Sequence, residues 1–226
     1  MPTIAIVGAG SGLGQSIAKT FGSNGFSVAL VSRTQSKLDA LAAELGRAGV
    51  DAAGFAADVM DRSSLVDAFA RIKQRFGTVD VLEYSPAPHT PVPGITMAGP
   101  LDVTVENIQP QLDYYLYGGI TAAQQVLPDM LERGNGTLLF TTGGASVNPT
   151  QASPEFANIA IAGAALRSWV LKLHQVTEGT GVYAAHVPLS VWIGAGGPET
   201  QPDTIARHYW DLYIKREGAE HHYTAL

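Results

Sequence analysis

The 226-residue chain contains no cysteine, which rules out a disulfide framework and a thiolate metal site. Charge is also scarce. Asp, Glu, Lys and Arg make up 15% of the residues, against about 25% in an ordinary soluble domain. Part of the surface is therefore expected to be buried in an oligomer. The net charge is −6, which argues against nucleic acid or an anionic membrane as a partner. No apolar run reaches the roughly 18 residues of a membrane-spanning helix, and the N-terminus reads as a strand rather than a signal peptide. A soluble, cytoplasmic protein is expected. Internal repeats, low-complexity segments and an interdomain linker are missing too.

Hydrophobic residues make up 46% of the chain, enough for one domain with a sizeable core. Strand patterns fall near 3–8, 26–31, 51–56, 79–83, 136–142 and 182–188. Helical patterns fall near 12–23, 35–47, 61–76, 102–132, 154–177 and 202–216. Alternation of this kind implies an α/β fold: a Rossmann-type doubly wound parallel sheet in a single domain, 1–226, with helices on both faces. The one Pro/Gly-rich stretch, Ser85 to Pro100, follows the fourth strand. It is either a wall of the ligand crevice, where loops at strand C-termini gather, or a surface excursion.

The first strand runs into Gly8-Ala9-Gly10-Ser11-Gly12-Leu13-Gly14 and then a helical pattern. A pyrophosphate needs backbone N–H groups and a helix N-terminus brought close, and side chains in the turn would block it. G-x-G-x-x-G is not met, because Leu13 stands where the third glycine belongs. The spacing that fits is Gly8-x-x-x-Gly12-x-Gly14. The second strand ends in Ser32-Arg33, where an acid would bond a ribose 2′-hydroxyl and an Arg accommodates a 2′-phosphate. The plainer alternative is a solvated Arg at a strand end.

Gly8-x-x-x-Gly12-x-Gly14, Ser32-Arg33, Ala57-Asp58-Val59 and Leu127-Pro128 together resemble the short-chain dehydrogenase/reductase family. The resemblance runs from the N-terminus to about Pro188, leaving 189–226 as a variable C-terminal segment in which that family carries its substrate lid. It implies NADP(H) as cofactor, held by Gly8, Ser11, Gly12, Leu13, Gly14, Ser32, Arg33, Asp58, Val59 and Ser85, with Asp58 and Val59 at the adenine. It also implies a dimer face on the helix near 154–177 and the long one before it, near 102–132. The small residues Ala157, Ala160, Ala162, Gly163, Ala164 and Ala165 fit such a face, although they would equally suit packing on the sheet. A homodimer or homotetramer is expected.

The same resemblance exposes departures. The family's Tyr-x-x-x-Lys aligns with Phe156 and Ala160, its serine with Gly143 and its helix asparagine with Tyr115. The Asn-Asn-Ala-Gly turn becomes Glu83-Tyr84-Ser85-Pro86, the Pro-Gly turn becomes Leu189-Ser190, and the following threonine becomes Gly194. Gly143, Phe156 and Ala160 supply neither a proton donor nor an oxyanion partner, which are typically worth ~10²–10⁴-fold each. Catalytic residues are thus unassigned.

Tyr115, Tyr84 and Tyr117 are the substitutes to examine, Tyr115 in the asparagine slot and Tyr84 in the turn under the nicotinamide. Each could equally fill space with its hydroxyl on backbone. His89 sits in the proline-rich loop, and His186 reads as a hydrogen-bonded core residue on a buried strand. Glu220-His221-His222 lacks the geometry of a metal site, since adjacent strand residues point to opposite faces. Trp192, Trp210, Tyr209 and Tyr213 suggest a pocket wall or an amphipathic helix with an Ile205-Tyr209-Leu212 stripe. The expected function is an NADP(H)-dependent oxidoreductase with a non-standard proton donor and an unknown carbonyl or hydroxyl substrate. The alternative is a non-catalytic NADP(H)-binding sensor or regulatory subunit. A third reading is that the crevice has lost the cofactor and serves another ligand.

Overall fold

The computed structural model describes residues 1–87, 92 and 94–225. Among them, β1 (Thr3–Val7), β2 (Ser27–Ser32), β3 (Ala52–Ala56), β4 (Val81–Tyr84), β5 (Gly136–Gly143), β6 (Val182–Ser190) and β7 (Tyr223–Thr224) form one sheet. Its order is β3-β2-β1-β4-β5-β6-β7, with every neighbouring pair parallel. The central strands are continuous apolar runs because both of their faces are covered.

Side-chain alternation sends Ala5, Val7, Leu82, Leu138 and Phe140 to one face and Ile4, Ile6, Val81 and Leu139 to the other. The first face is covered by α3 (Arg62–Phe76), α5 (Gly118–Glu132) and α6 (Ala157–Thr177). The second is covered by α1 (Leu13–Ser23), α2 (Gln35–Arg47) and α7 (Pro202–Lys215). The expected stripe Ile205-Tyr209-Leu212 is buried on α7. Trp210 and Tyr213 pack edge-on against Phe21 and Phe26, so these two aromatics serve the core. Trp192 is exposed.

The long helix expected near 102–132 is interrupted. α4 (Val105–Leu112) starts at a capping box, in which Thr104 Oγ1 accepts from the Asn107 amide and Asn107 Oδ1 from the Thr104 amide. A π-helical turn, Asp113–Tyr117, then leads into α5. Pro110, inside α4, offers no N–H and crowds the preceding turn, and the widened turn follows directly. Such turns re-aim side chains; here they are Tyr114 and Tyr115. The strand β7 was not expected, because two residues carry no periodicity. The order reverses between β2-β1 and β4-β5, opening a crevice at the strands' C-terminal ends.

Candidate cofactor and active site

The crevice has two contiguous lobes that share Gly8, Gly10, Gly12, Pro86 and Ala87. The inner lobe, about 360 Å³, is further lined by Leu13, Gly14, Ser85, Tyr115, Thr141, Thr142 and Gly143, with Leu189, Val191, Ile193 and Pro202 as an apolar wall. The outer lobe, about 520 Å³, takes in Ser11, Ser32, Arg33, Lys37, Val59 and Tyr114. Both volumes fall within the 300–1,000 Å³ typical of small-molecule clefts.

The glycines explain the shape. Gly8 has φ +110° because the chain must turn beneath the β4 loop, and a Cβ there would stand 2.6 Å from the Ser85 carbonyl. Gly8 and Ala9 both donate their amides to the Val31 carbonyl, which pins the loop between β1 and β2. At Gly12 a Cβ would meet nothing within 4 Å; it would project into open space at the start of α1. No side chain caps that helix, so its first amides face a space that an anion can enter. A cradle that a methyl would fill, at the N-terminus of α1, fits a pyrophosphate.

Nine of the ten expected cofactor residues line one lobe or the other: Gly8, Ser11, Gly12, Leu13, Gly14, Ser32, Arg33, Val59 and Ser85. Asp58 does not. Its Oδ1 accepts from the Met60 amide at 3.0 Å, which closes a local turn, and Ala57 and Val59 on either side face the lobe instead. Lys37 was missed. It stands four residues beyond Arg33, one turn into the next helix, and that spacing was the available signal.

Tyr84 requires a correction. It is the last residue of β4 rather than part of the turn, it is fully buried, and its hydroxyl donates to the Tyr114 carbonyl at 2.5 Å. It points into the core toward Gly118, where a Cβ would collide with the Tyr84 hydroxyl, and it lines neither lobe. Tyr115 does reach the inner lobe, but burial raises its pKa above the usual phenol value. Burial likewise raises Tyr114 to about 12, with Arg33 nearby pulling the other way. A donor phenol needs the opposite shift. Tyr117 lies under the Arg62 guanidinium, 5.0 Å from ring centroid to Cζ. His89 lies outside the described residues.

Phe156 and Ala160 also require a correction. They share an outward face of α6 with Ala164 and line a separate apolar hollow with Pro149 and Pro154. The face turned to the end of β5 carries Gly163, where a Cβ would lie 3.1 Å from Ser146 Cβ and 3.7 Å from Thr142 Cβ. Ile159, one turn earlier, packs on the core that contains Tyr115. α6 lends no described residue to the crevice lining. Gly143 does line it, with nothing within 4 Å of a Cβ built there.

The crevice hydroxyls have titratable groups behind them. Glu83 is fully buried, with Oε2 2.9 Å from Ser85 Oγ and Oε1 3.2 Å from Thr141 Oγ1. Burial pushes its pKa up to about 8. Thr141 also meets the Tyr209 hydroxyl at 2.5 Å. His186 is buried and hydrogen-bonded, as its strand position implied. Glu220, His221 and His222 part to separate partners: Glu220 to Arg167 and His186, His221 to Tyr183, and His222 to Ser190. Among the described residues, no helix is long and apolar enough to cross a membrane.

This architecture is that of the short-chain dehydrogenases, and the chain belongs to that family: the short chain dehydrogenase family model matches residues 2–189. A short chain dehydrogenase of Pseudocercospora fijiensis is 29% identical over 210 residues, 91% of this chain and 65% of that one. The chain spans about 60–65% of the length of these curated relatives, which include oxidoreductases of Salmonella. A short-chain dehydrogenase from Rhodopseudomonas palustris superposes with a TM-score of 0.84 at 22% identity, covering 100% of this chain and 99% of that one. L-sorbose reductase from Gluconobacter frateurii, solved with NADPH and L-sorbose, gives 0.82 at 19% identity, covering 99% and 94%.

Proposed function

We propose that the chain is an NADP(H)-dependent oxidoreductase that interconverts a hydroxyl and a carbonyl compound without the family's usual serine, tyrosine and lysine. One observation carries this reading: a single glycine-walled crevice runs from two cations, Arg33 and Lys37, to a cluster of hydroxyls, Ser85, Thr141 and Thr142. The cofactor supplies or accepts hydride when bound. Gly8, Gly10 and Gly12 keep the pyrophosphate path open, α1 offers its free amides, and Arg33 with Lys37 recognises the 2′-phosphate. The apolar wall of Leu189, Val191 and Ile193 excludes water beside the reacting end.

Calorimetric titration with NADPH, NADP⁺ and NADH tests the reading. Micromolar or tighter binding of the phosphorylated forms is expected, and no binding of any of the three sinks it. Arg33→Ala is expected to weaken NADPH by roughly 10- to 100-fold, the worth of a charged hydrogen bond, while leaving NADH nearly unchanged. An unaltered NADPH-to-NADH ratio in the variant would refute the phosphate assignment.

The alternative, a non-catalytic NADP(H) binder, draws support from the raised phenol of Tyr115 and from the absence of α6 side chains from the described crevice lining. Tight NADPH binding with no turnover on a broad carbonyl and alcohol panel would favour it. The outward face of α6, where Ile161 is 46% exposed, supports a homodimer or homotetramer. Light scattering is expected to give two or four times the 23.7 kDa chain mass. A cytoplasmic location is proposed on composition alone.

A further inference from the structure

Consecutive threonines at the end of β5 face opposite sides of the sheet. Thr141 turns to Glu83 and Tyr209. Thr142 turns to α6, with Oγ1 2.8 Å from His186 Nε2 and 2.7 Å from Ser146 Oγ. Thr142 also lines the inner lobe. The far side of the His186 ring places Nδ1 3.0 Å from Glu220 Oε2. Arg167 of α6 grips both oxygens of that carboxylate, through Nε on Oε2 and through Nη2 at 3.0 Å from Oε1. A hydroxyl, an imidazole, a carboxylate and a guanidinium thus stand in line, drawn from β5, β6, the segment before β7, and α6.

The proton positions follow from chemistry. Arg167 holds the Glu220 carboxyl below its ordinary pKa, so the carboxylate can only accept and His186 Nδ1 must carry hydrogen. Burial disfavours the imidazolium, so the ring is neutral and Nε2 offers a lone pair. The Thr142 hydroxyl donates to it. A hydroxyl backed by a base, itself oriented by an acid, is the arrangement that activates hydroxyls in enzymes.

We propose that Thr142, His186 and Glu220 form the proton relay of the crevice, in which the Thr142 hydroxyl receives the proton of a substrate alcohol. The proposal rests on the NADP(H)-oxidoreductase reading. The substrate's carbinol C–H bond breaks, and its electron pair leaves as hydride for oxidised nicotinamide. The substrate O–H proton passes to Thr142 Oγ1 as Thr142's own proton passes to His186 Nε2. A carbonyl forms, the dinucleotide is reduced, and the imidazolium rests against the Glu220 carboxylate. Glu220 has a side-chain exposure of 26%, which gives the proton a way out to solvent.

The resting relay is a base, so it favours alcohol oxidation. The groups facing His186 are Glu220, which favours its charging, and Arg167 and His222, which oppose it. Burial outweighs the pull of Glu220, and the imidazole titrates below the ordinary histidine value. Oxidation is expected to rise with pH through that titration and then level off, whereas carbonyl reduction, which needs the imidazolium, is expected to fall over the same interval.

The first test needs no cofactor. Nitrogen-15 histidine spectra of the full chain are expected to show His186 as the neutral Nδ1–H tautomer at pH 7 and still neutral somewhat below pH 6.5. An Nε2–H tautomer would overturn the relay, because Thr142 could not donate to it. The second uses NADP⁺ with a panel of secondary alcohols, beside calorimetry. Thr142→Val and His186→Gln are expected to lower kcat at least 100-fold, leave the NADP⁺ dissociation constant unchanged and abolish the rise with pH. Thr142→Ser should keep most of the rate.

Variant rates within threefold of wild type, with the same pH profile, would overturn the relay and leave the cofactor reading intact. NADP⁺ binding with no alcohol oxidised would do the same. Failure to bind any dinucleotide would overturn the parent reading, and the relay with it. Should His186→Gln fail to fold, Thr142→Val, which removes one hydroxyl at constant shape, carries the test.

Discussion

Glu83→Gln is expected to leave stability unchanged near pH 4 and to raise it by about 5 kcal/mol near pH 9. The carboxyl is fully buried, and its neighbours are two hydroxyls rather than a cation. Burial without a counter-charge favours the neutral acid, and the group holds its proton to about pH 8 instead of 4.5. The sign follows directly. Between pH 4.5 and 8 the unfolded chain has released this proton and the folded chain retains it, so stability falls as pH rises and levels off above the folded pKa. An amide of the same shape never ionises and can still pair with Ser85 and Thr141. The melting temperatures of the two proteins should therefore diverge with pH, by roughly 10 °C at the alkaline end. Parallel curves would show that Glu83 is already ionised at neutral pH.

Gly8→Ala and Gly12→Ala are expected to fail in different ways. Alanine at position 8 would have to hold φ at +110° with its methyl 2.6 Å from the Ser85 carbonyl carbon and 2.7 Å from Pro86 N. Backbone cannot rotate aside as a side chain can, so a loss of about 3 kcal/mol or more is expected. At position 12 φ is −105° and the methyl meets nothing. Gly12 is the N-cap of α1 with ψ −122°, a place alanine fits less well, so a loss of about 1 kcal/mol is expected, whereas dinucleotide affinity should drop further because the methyl occupies the cradle. Thermal melts paired with NADPH titrations separate the two, and equal melting temperatures would show that the loop after β1 can yield to the methyl.

Fold and cofactor end were readable in the sequence for the same reason: both are written locally. Apolar strands, helical stripes and the glycine spacing each occupy a dozen residues or fewer, and all six expected strands formed within about two residues of their expected bounds. The inner end was not readable because its contacts are distant in sequence. Thr141 meets Glu83 and Tyr209, and His186 meets Glu220, across separations of 34 residues or more. A glutamate in a strand pattern reads as a turn residue until its neighbours are known. The helix register of α6 failed for a related reason. With small residues almost all round, the helix offered no landmark for aligning Tyr-x-x-x-Lys, and Phe156 and Ala160, set at those positions, line the outer hollow instead. Tyr84 was misplaced by one position at the strand end, which in a pleated sheet exchanges crevice for core.

The two-residue strand β7 closes the edge of the sheet beside β6. Just before it, the Ala219 carbonyl accepts from the His186 amide and the His221 amide donates back to the His186 carbonyl. Glu220 is thereby clamped against the imidazole by main-chain bonds on either side of itself. A short sheet margin of this kind opens more readily than the interior. Each opening carries away the acid that orients His186 and leaves the body of the sheet and the glycine cradle untouched. Amide exchange at His186 and His221 would thus report the fraction of molecules in which the dinucleotide can still dock but the proton has nowhere to go.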